Sequence, residues 1–259
     1  MPTELPGGRS RVDFLGLEFD TLGLDKVLEH LSQVSETTGF HYVVTPNVDH
    51  VVRLESEQDA GREVRDAYET AAFLLNDSKV LAGLAAACGI RLPVVPGSEL
   101  TARLFDGVIR PGDRIAVVGA DAVLVDAMRA LHPGVDFQHH QPPMGMRRNE
   151  AAMAEAAAFV ARTGARFTFL AVGSPQQELL ARRVLAEPGA RGCALCIGAG
   201  IEFASGTRKR APRIMQQLGL EWSYRLLQDP RRLWRRYLVE GPRILPILLR
   251  WRRGRGGAI

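Results

Sequence analysis

The chain has 259 residues, 46% of them apolar, with few low-complexity stretches, so it can bury a full core and is not a disordered protein. Its 33 basic and 29 acidic residues give a net charge of +4. That charge is uneven, because residues 207–259 hold 14 basic and only 3 acidic residues, which leaves residues 1–206 with a net negative charge. A strongly basic tail and an acidic body favour different binding partners.

Neither end of the chain predicts a membrane-crossing segment. Residues 1–13 are polar and lack the apolar stretch of a signal peptide. The apolar cluster at 244–249 is interrupted by Pro246 and is far shorter than a span of roughly 20 residues. Cys193 and Cys196 lie in an apolar run that predicts a strand, so their thiols should point to opposite faces as buried core residues. The sequence therefore favours a reducing compartment and no bilayer crossing.

Short runs rich in β-branched or aromatic residues alternate with segments of helical periodicity. Strands are predicted at 41–45, 72–75, 114–118, 135–138, 167–172 and 193–197. Helices are predicted at 24–36, 48–57, 60–70, 79–88, 98–108, 121–131, 149–163 and 175–187. This alternation predicts an α/β fold with a mostly parallel, doubly wound sheet and helices on both faces. Ligands of such sheets bind at the carboxyl ends of the strands.

Polar residues follow several of these strands directly. Asp77 comes just after the strand at 72–75, where a carboxylate can accept a proton from a substrate hydroxyl group. Spacing alone favours a simpler role for it as the cap of the next helix, and Thr45 and Asn47 likewise resemble a turn and a cap. Residues 173–178 are typical of a turn that contacts phosphate. No Gly-x-Gly-x-x-Gly is present, which argues against a dinucleotide-dependent dehydrogenase.

The tail combines arginines with tryptophans at helical spacing in segments 214–227 and 230–239. Basic amphipathic helices of this composition bind anionic membrane surfaces, whereas one such helix alone would more simply pack on the body. No nucleic-acid-binding motif accompanies the charge, so we expect no nucleic-acid partner. We predict an α/β domain at 1–206 and a basic helical appendage at 207–259 that docks to the membrane. A chain ending near Ser205 is expected to fold.

Four segments carry a more specific signal. They are Thr45-Pro-Asn47 with His50-Val51, Pro96-Gly97-Ser98-Glu99-Leu100, Pro142-Pro143-Met144-Gly145, and the run RAPRIMQQLGLEWSYRLLQDPRRLWRRY at 210–237. Together with Gly-x-Pro-x-Gln-Glu at 173–178, they resemble the motifs of the WecG/TagA/CpsF family of bacterial glycosyltransferases. The resemblance extends from about residue 41 to about residue 243.

The resemblance implies a Rossmann-like fold and an inverting, metal-independent transfer of an N-acetylhexosamine or hexose from a UDP-sugar to a polyprenyl-diphosphate-linked saccharide. This reaction would serve cell-surface polysaccharide synthesis at the cytoplasmic face of the membrane. The family's catalytic base falls on Asp77, within Asn76-Asp77-Ser78 where the family has Pro-Asp-Gly. Substrate-binding positions fall on Thr45, Asn47 and Gln177, and on Glu202, which replaces the family's aspartate.

The leaving diphosphate needs neutralising charge, and the sequence shows neither paired carboxylates nor a His/Cys cluster at metal-ligand spacing. We therefore predict no metal and no cofactor. Arginine suits diphosphate oxygens, and Arg213, Arg225 and Arg232 of the appendage are the candidates. Three alternatives stay open: a soluble or secondary-metabolite acceptor, a non-catalytic basic adaptor that binds anionic lipid or nucleic acid, and a homo-oligomer.

Overall fold

The computed structural model describes residues 10–56, 60–198, 200–206, 212, 215 and 221–256. Eight strands are present among them: β1 (Arg11–Phe14), β2 (Leu17–Asp20), β3 (His41–Val44), β4 (Phe73–Leu74), β5 (Arg114–Gly119), β6 (Asp136–His140), β7 (Phe167–Ala171) and β8 (Cys193–Cys196). Strands β3 to β8 are the six predicted from the sequence, and each bound lies within two residues of the prediction.

Helices follow the strands, and the first eight of them are those that the periodicity predicts. In the body they are α1 (Leu24–Ser32), α2 (Val48–Ser56), α3 (Ala60–Glu69), α4 (Lys79–Ala86), α5 (Gly97–Gly107), α6 (Ala122–Leu131), α7 (Glu150–Thr163), α8 (Gln176–Val184) and α9 (Gly200–Ala204). The tail has α10 (Glu221–Gln228), α11 (Pro230–Trp234), a π-helical turn (Arg235–Glu240), a 3₁₀ turn (Gly241–Arg243) and α12 (Ile244–Gly256). No described helix is long and apolar enough to cross a bilayer.

The six strands form one parallel sheet in the order β4-β3-β8-β7-β5-β6. Consecutive side chains of a strand point to opposite faces, so each strand contributes to two cores. In β8, Cys193 belongs to one core and Cys196 to the other, and both are buried. The predicted Rossmann-like α/β fold, with helices covering both faces of the sheet, is therefore confirmed.

The β1–β2 hairpin was not predicted from the sequence. Its strands have four residues each, and the two-residue turn is made by Leu15 and Gly16, both at positive φ. The hairpin joins the edge of the sheet because the buried Asp20 carboxylate accepts the N–H of Leu74 at 2.8 Å. The sequence lacked the Asn-Gly or Asp-Gly pair that marks most such turns.

The last helix of the tail packs into the body. Its apolar residues Ile244, Ile247 and Leu248 are at most 9% exposed and belong to the same core as Tyr42 of β3. Burial of three aliphatic side chains stabilises a fold by several kcal/mol, at about 1.5–3 kcal/mol each. A chain ending near Ser205 would therefore lack part of this core. Its ability to fold stays a prediction, as does the functional boundary at 206.

Polar contacts also hold the tail against the body, among them an ion pair of Arg250 with Glu55 at 3.3 Å. The indole N–H of Trp251 donates to Asp13 at 3.0 Å, and its ring meets Phe14 edge to face at 5.3 Å. Arg236 lies 3.3 Å from the Asp49 carboxylate at the start of α2. Trp251 thus joins α12 to the β1–β2 hairpin.

Candidate active site

The loop after β4 is fixed to the end of β3. The N–H of Asp77 donates to the carbonyl of Pro46 at 3.1 Å. The buried side chain of Asn76 donates to the Pro93 carbonyl at 3.2 Å and accepts the N–H of Ser78 at 2.8 Å. This turn therefore has a defined shape, and it presents the Asp77 side chain at the carboxyl edge of the sheet.

Asp77 is not the cap of the helix that follows it. The cap of α4 is Ser78, whose hydroxyl accepts the N–H of Leu81 at 3.2 Å. The half-buried Asp77 carboxylate instead accepts the N–H of Gly97, the first residue of α5, at 3.1 Å. The capping role that spacing favoured for Asp77 is wrong. The amino end of a helix favours negative charge, so the start of α5 is a favourable place for the Asp77 side chain.

Thr45 lies on the other side of Gly97. Its buried hydroxyl donates to the carbonyl of Cys196 at 3.4 Å, at the end of the neighbouring strand β8. A Cβ atom on Gly97 would lie 3.0 Å from Thr45 Oγ1 and 3.4 Å from Cγ2 of Ile197. The missing side chain of Gly97 therefore lets α5 approach the strand ends, and Thr45 and Asp77 are brought together around this glycine.

Asn47 forms the turn before α2, as its position after a proline predicted. Its side-chain oxygen accepts the N–H of Asp49 at 3.1 Å and lies 2.9 Å from Nδ1 of His50. Among the described residues its amide nitrogen has no hydrogen-bond partner, and the side chain is half-buried. Asn47 thus combines a local structural role with a polar group available to a ligand.

Gln177 occupies the same edge but is only 3% exposed. Its Oε1 accepts the N–H of Gly198 at 2.9 Å, and its Nε2 donates to Oε1 of Glu178 at 2.9 Å. Gln177 therefore ties α8 to the turn after β8. Both ends of its amide have protein partners, so its predicted contact with the donor remains a prediction.

Three largely buried ionisable groups lie near one another on α2, α3 and α8. Burial, followed by the charge of Arg53, lowers the pKa of His50 to about 3. Burial raises the pKa of Glu178, which is 2% exposed, and raises that of Tyr68 well above its ordinary value. In each case the neutral form is favoured because a low-dielectric environment disfavours charge.

The loop after β6 meets the turn before α8. It holds the predicted Pro142-Pro143-Met144-Gly145 motif, in which Met144 is fully exposed. The N–H of Arg147 donates to Oε1 of Gln176 at 3.0 Å. The 3₁₀ turn that follows the motif is therefore in direct contact with the first residue of α8.

Of the other predicted site residues, Glu202 belongs to the body and three arginines belong to the tail. Glu202 is half-buried on α9, which packs against α5. The backbones of Arg225 and Arg232 lie on α10 and α11, without a described side chain, and Arg213 lies outside the described residues. Their roles remain predictions. Across the described ranges, no group of three or more His, Cys, Asp or Glu side chains could hold a metal ion.

Sequence reasoning missed three residues that shape this edge: Gly97, His50 and Glu178. All three stand in the motifs that carried the family resemblance, which was the available signal. Their contacts could not be read from the sequence because each joins separate strand ends, as Gly97 does with Asp77 across 20 residues.

Comparison with known proteins gives consistent results. A sequence model of the glycosyl transferase WecG/TagA/CpsF family matches residues 12–257. Relatives from Staphylococcus aureus strains MW2 and NCTC 8325 / PS 47 are each 23% identical over 246 residues, which is 91% of both chains. Each is named N-acetylglucosaminyldiphosphoundecaprenol N-acetyl-beta-D-mannosaminyltransferase. The family match covers nearly the whole chain and includes every strand-end turn described above, so this chain belongs to the WecG/TagA/CpsF family of glycosyltransferases.

Proposed function

We propose that the chain transfers an N-acetylhexosamine or hexose, with inversion, from a UDP-sugar to a saccharide linked to polyprenyl diphosphate, in cell-surface polysaccharide synthesis. The observation that carries the proposal is the Asp77 carboxylate. It stands at the carboxyl edge of the sheet, oriented by Gly97 and not used as a helix cap. The names of the two relatives supply the acceptor class and make N-acetylmannosamine the first sugar to test.

The reaction needs a base on one side of the anomeric carbon and positive charge on the other. As the acceptor hydroxyl attacks, Asp77 takes its proton, and the bond from the sugar to the diphosphate breaks to release UDP. Developing charge on the leaving group is stabilised best by groups already in place. Arg213, Arg225 and Arg232 of the tail are our candidates for that role.

The described tail presents a surface suited to an anionic membrane. Its exposed apolar side chains are Leu227, Trp234, Leu238, Val239, Leu245 and Leu249. Exposed arginines accompany them, at Arg231, Arg235, Arg243, Arg250, Arg252 and Arg253. Apolar and cationic side chains on one segment contribute burial in the interface and attraction to lipid phosphates together. A peripheral position at the cytoplasmic face would bring the site to a lipid-linked acceptor.

Transfer with purified components tests the proposal. The chain is incubated with UDP-N-acetylmannosamine, UDP-N-acetylglucosamine or UDP-glucose as donor. The acceptor is either N-acetylglucosamine linked to undecaprenyl diphosphate in anionic vesicles or a water-soluble N-acetylglucosamine derivative. We expect one donor to yield a lipid-linked disaccharide with inverted anomeric configuration. Transfer only to a water-soluble acceptor would support the soluble-acceptor alternative. Vesicle binding without transfer of any sugar would favour the non-catalytic adaptor.

A further inference from the structure

A line of polar side chains connects three strand-end turns behind the site. It starts at the N–H of Gly198, which donates to Gln177, and continues through the Gln177 amide to Oε1 of Glu178. Nε2 of His50 lies 3.9 Å from that same oxygen. Nδ1 of His50 lies 2.9 Å from Oδ1 of Asn47. The line therefore ends at Asn47, whose amide nitrogen has no hydrogen-bond partner among the described residues.

The position of the proton on the His50 imidazole determines which hydrogen bond the ring makes with Asn47. Its side chain is 11% exposed and it stays neutral at any ordinary pH, so it carries one proton, on either Nδ1 or Nε2. The backbone N–H of Asn47 also points at Nδ1, at 3.2 Å. One nitrogen cannot accept from that N–H and donate to Oδ1 at once.

The contact between Nδ1 of His50 and Oδ1 of Asn47 decides whether Nδ1 donates or accepts. It is the shorter one, and Oδ1 of Asn47 is identified independently because it also accepts the N–H of Asp49 at 3.1 Å. An oxygen held there requires a donor on the facing ring nitrogen. We therefore place the proton on Nδ1 of His50, which leaves a lone pair on Nε2, toward Glu178.

We propose that His50 and Glu178 are positioning residues that hold the oxygen of the Asn47 amide inward, so that its NH₂ group faces a sugar or diphosphate oxygen of the bound donor. The proposal rests on the glycosyltransferase function proposed above. With two donors on Oδ1, rotation of the amide would lose two hydrogen bonds. Asn47 would therefore act as a donor to the ligand and not as an acceptor.

Glu178 selects the tautomer of His50. An ionised carboxylate 3.9 Å from Nε2 would attract a proton to that nitrogen, whereas a neutral carboxyl group would not. The surroundings of Glu178 favour its neutral form. It is 2% exposed, its Oε2 has no hydrogen-bond partner among the described residues, and the guanidinium of Arg53 is already engaged by Asp49 and the Ser174 carbonyl.

Long-range ¹H–¹⁵N spectra of histidine-labelled protein test the tautomer directly. The His50 signal is assigned by its loss in His50→Gln. We expect the pattern of an Nδ1–H imidazole in the wild-type chain and in Glu178→Gln, which keeps the shape but cannot ionise. Glu155→Gln, on the exposed face of α7, is the matched control. An Nε2–H pattern in the wild-type chain would overturn the proposal.

A double-mutant cycle tests whether His50 acts through Asn47. We expect His50→Ala to lower kcat/KM about tenfold in the wild-type background, as expected for loss of one orienting hydrogen bond. In the Asn47→Ala background the same change should cost less than about twofold, because the group it positions is gone. Glu155→Gln, the exposed control on α7, should keep near-normal kcat/KM in both backgrounds. An equal loss from His50→Ala in both backgrounds would contradict the positioning role.

The two tests also separate this inference from the proposed function. If the wild-type chain transfers no sugar, the proposed function falls and the contact of Asn47 with a sugar donor falls with it, while the tautomer spectrum still tests the hydrogen bond between His50 and Asn47. If transfer occurs and the tautomer is Nε2–H, the function stands and the inference falls. His50→Asn, which is closer in volume, replaces His50→Ala should the latter lose its cooperative thermal transition.

Discussion

Asp77 and Gly97 are joined by a hydrogen bond in which the glycine N–H donates to Oδ1 of the carboxylate at 3.1 Å. Neighbouring residues therefore have different roles here, one as a helix cap and the other as the candidate base. Ser78 caps α4, and Asp77 is turned toward the first residue of α5. The carboxylate is therefore held by backbone at a strand end, where a base for an incoming hydroxyl is needed.

Gly97→Ala tests the close approach on which this arrangement depends. The added Cβ would lie 3.0 Å from Thr45 Oγ1 and 3.4 Å from Ile197, so α5 or Thr45 must shift. We expect kcat to fall about tenfold or more, since small displacements in an active site are costly. Gly107→Ala, at the other end of α5 with nothing within 4 Å, is the control and should retain full activity. Equal activities in both variants would show that the approach is not required.

The two faces of α12 should behave differently. Ile247→Ala, at a 9% exposed position, should lower the free energy of unfolding by about 2–4 kcal/mol. Leu249→Ala, at 55% exposure, should change it by less than about 0.5 kcal/mol but weaken binding to anionic vesicles. Denaturant titration and vesicle co-sedimentation measure the two effects. Unchanged vesicle binding in Leu245→Ala and Leu249→Ala together would remove this face from the membrane contact.

Acid should destabilise the fold through His50. Its pKa is about 3 in the folded chain and about 6.5 when unfolded, so between these values only the unfolded chain binds the proton. Stability is therefore lost as pH falls below 6.5, by up to about 1.4 kcal/mol per pH unit from this residue. Urea titrations at pH 7 and pH 5 should show a smaller loss in His50→Gln than in the wild-type chain. An equal loss of unfolding free energy in both chains would mean that His50 is protonated as readily in the folded chain as in the unfolded one, which contradicts a buried, neutral imidazole.

Removal of divalent metal tests the assignment of charge stabilisation to arginines. We expect transfer to persist in EDTA, because the proposed mechanism neutralises the diphosphate with side chains of the tail. Loss of activity in EDTA, restored by magnesium or manganese, would contradict that assignment.

Much of the fold could be predicted from the sequence, because the strands of the parallel sheet are short apolar runs bounded by turn residues. The hairpin was missed since its turn uses Leu15 in a conformation that leucine seldom adopts. The buried face of α12 was hidden within a basic segment, where charge dominates the composition. Whether Asp77 or Ser78 capped α4 depended on Gly97, twenty residues away, which no local pattern contains.

The role of Asp77 is tested most directly by transfer from the preferred UDP-sugar to the lipid-linked acceptor, measured for the wild-type chain, Asp77→Asn and Asp126→Asn. Asp126 lies on the exposed face of α6 and pairs with Arg129, so its variant is the control. We predict that Asp77→Asn lowers kcat by about 10² to 10⁴-fold while the donor still raises its melting temperature, because an amide keeps the shape but cannot take the proton. Turnover of Asp77→Asn within a few-fold of the control would contradict a catalytic base at this position.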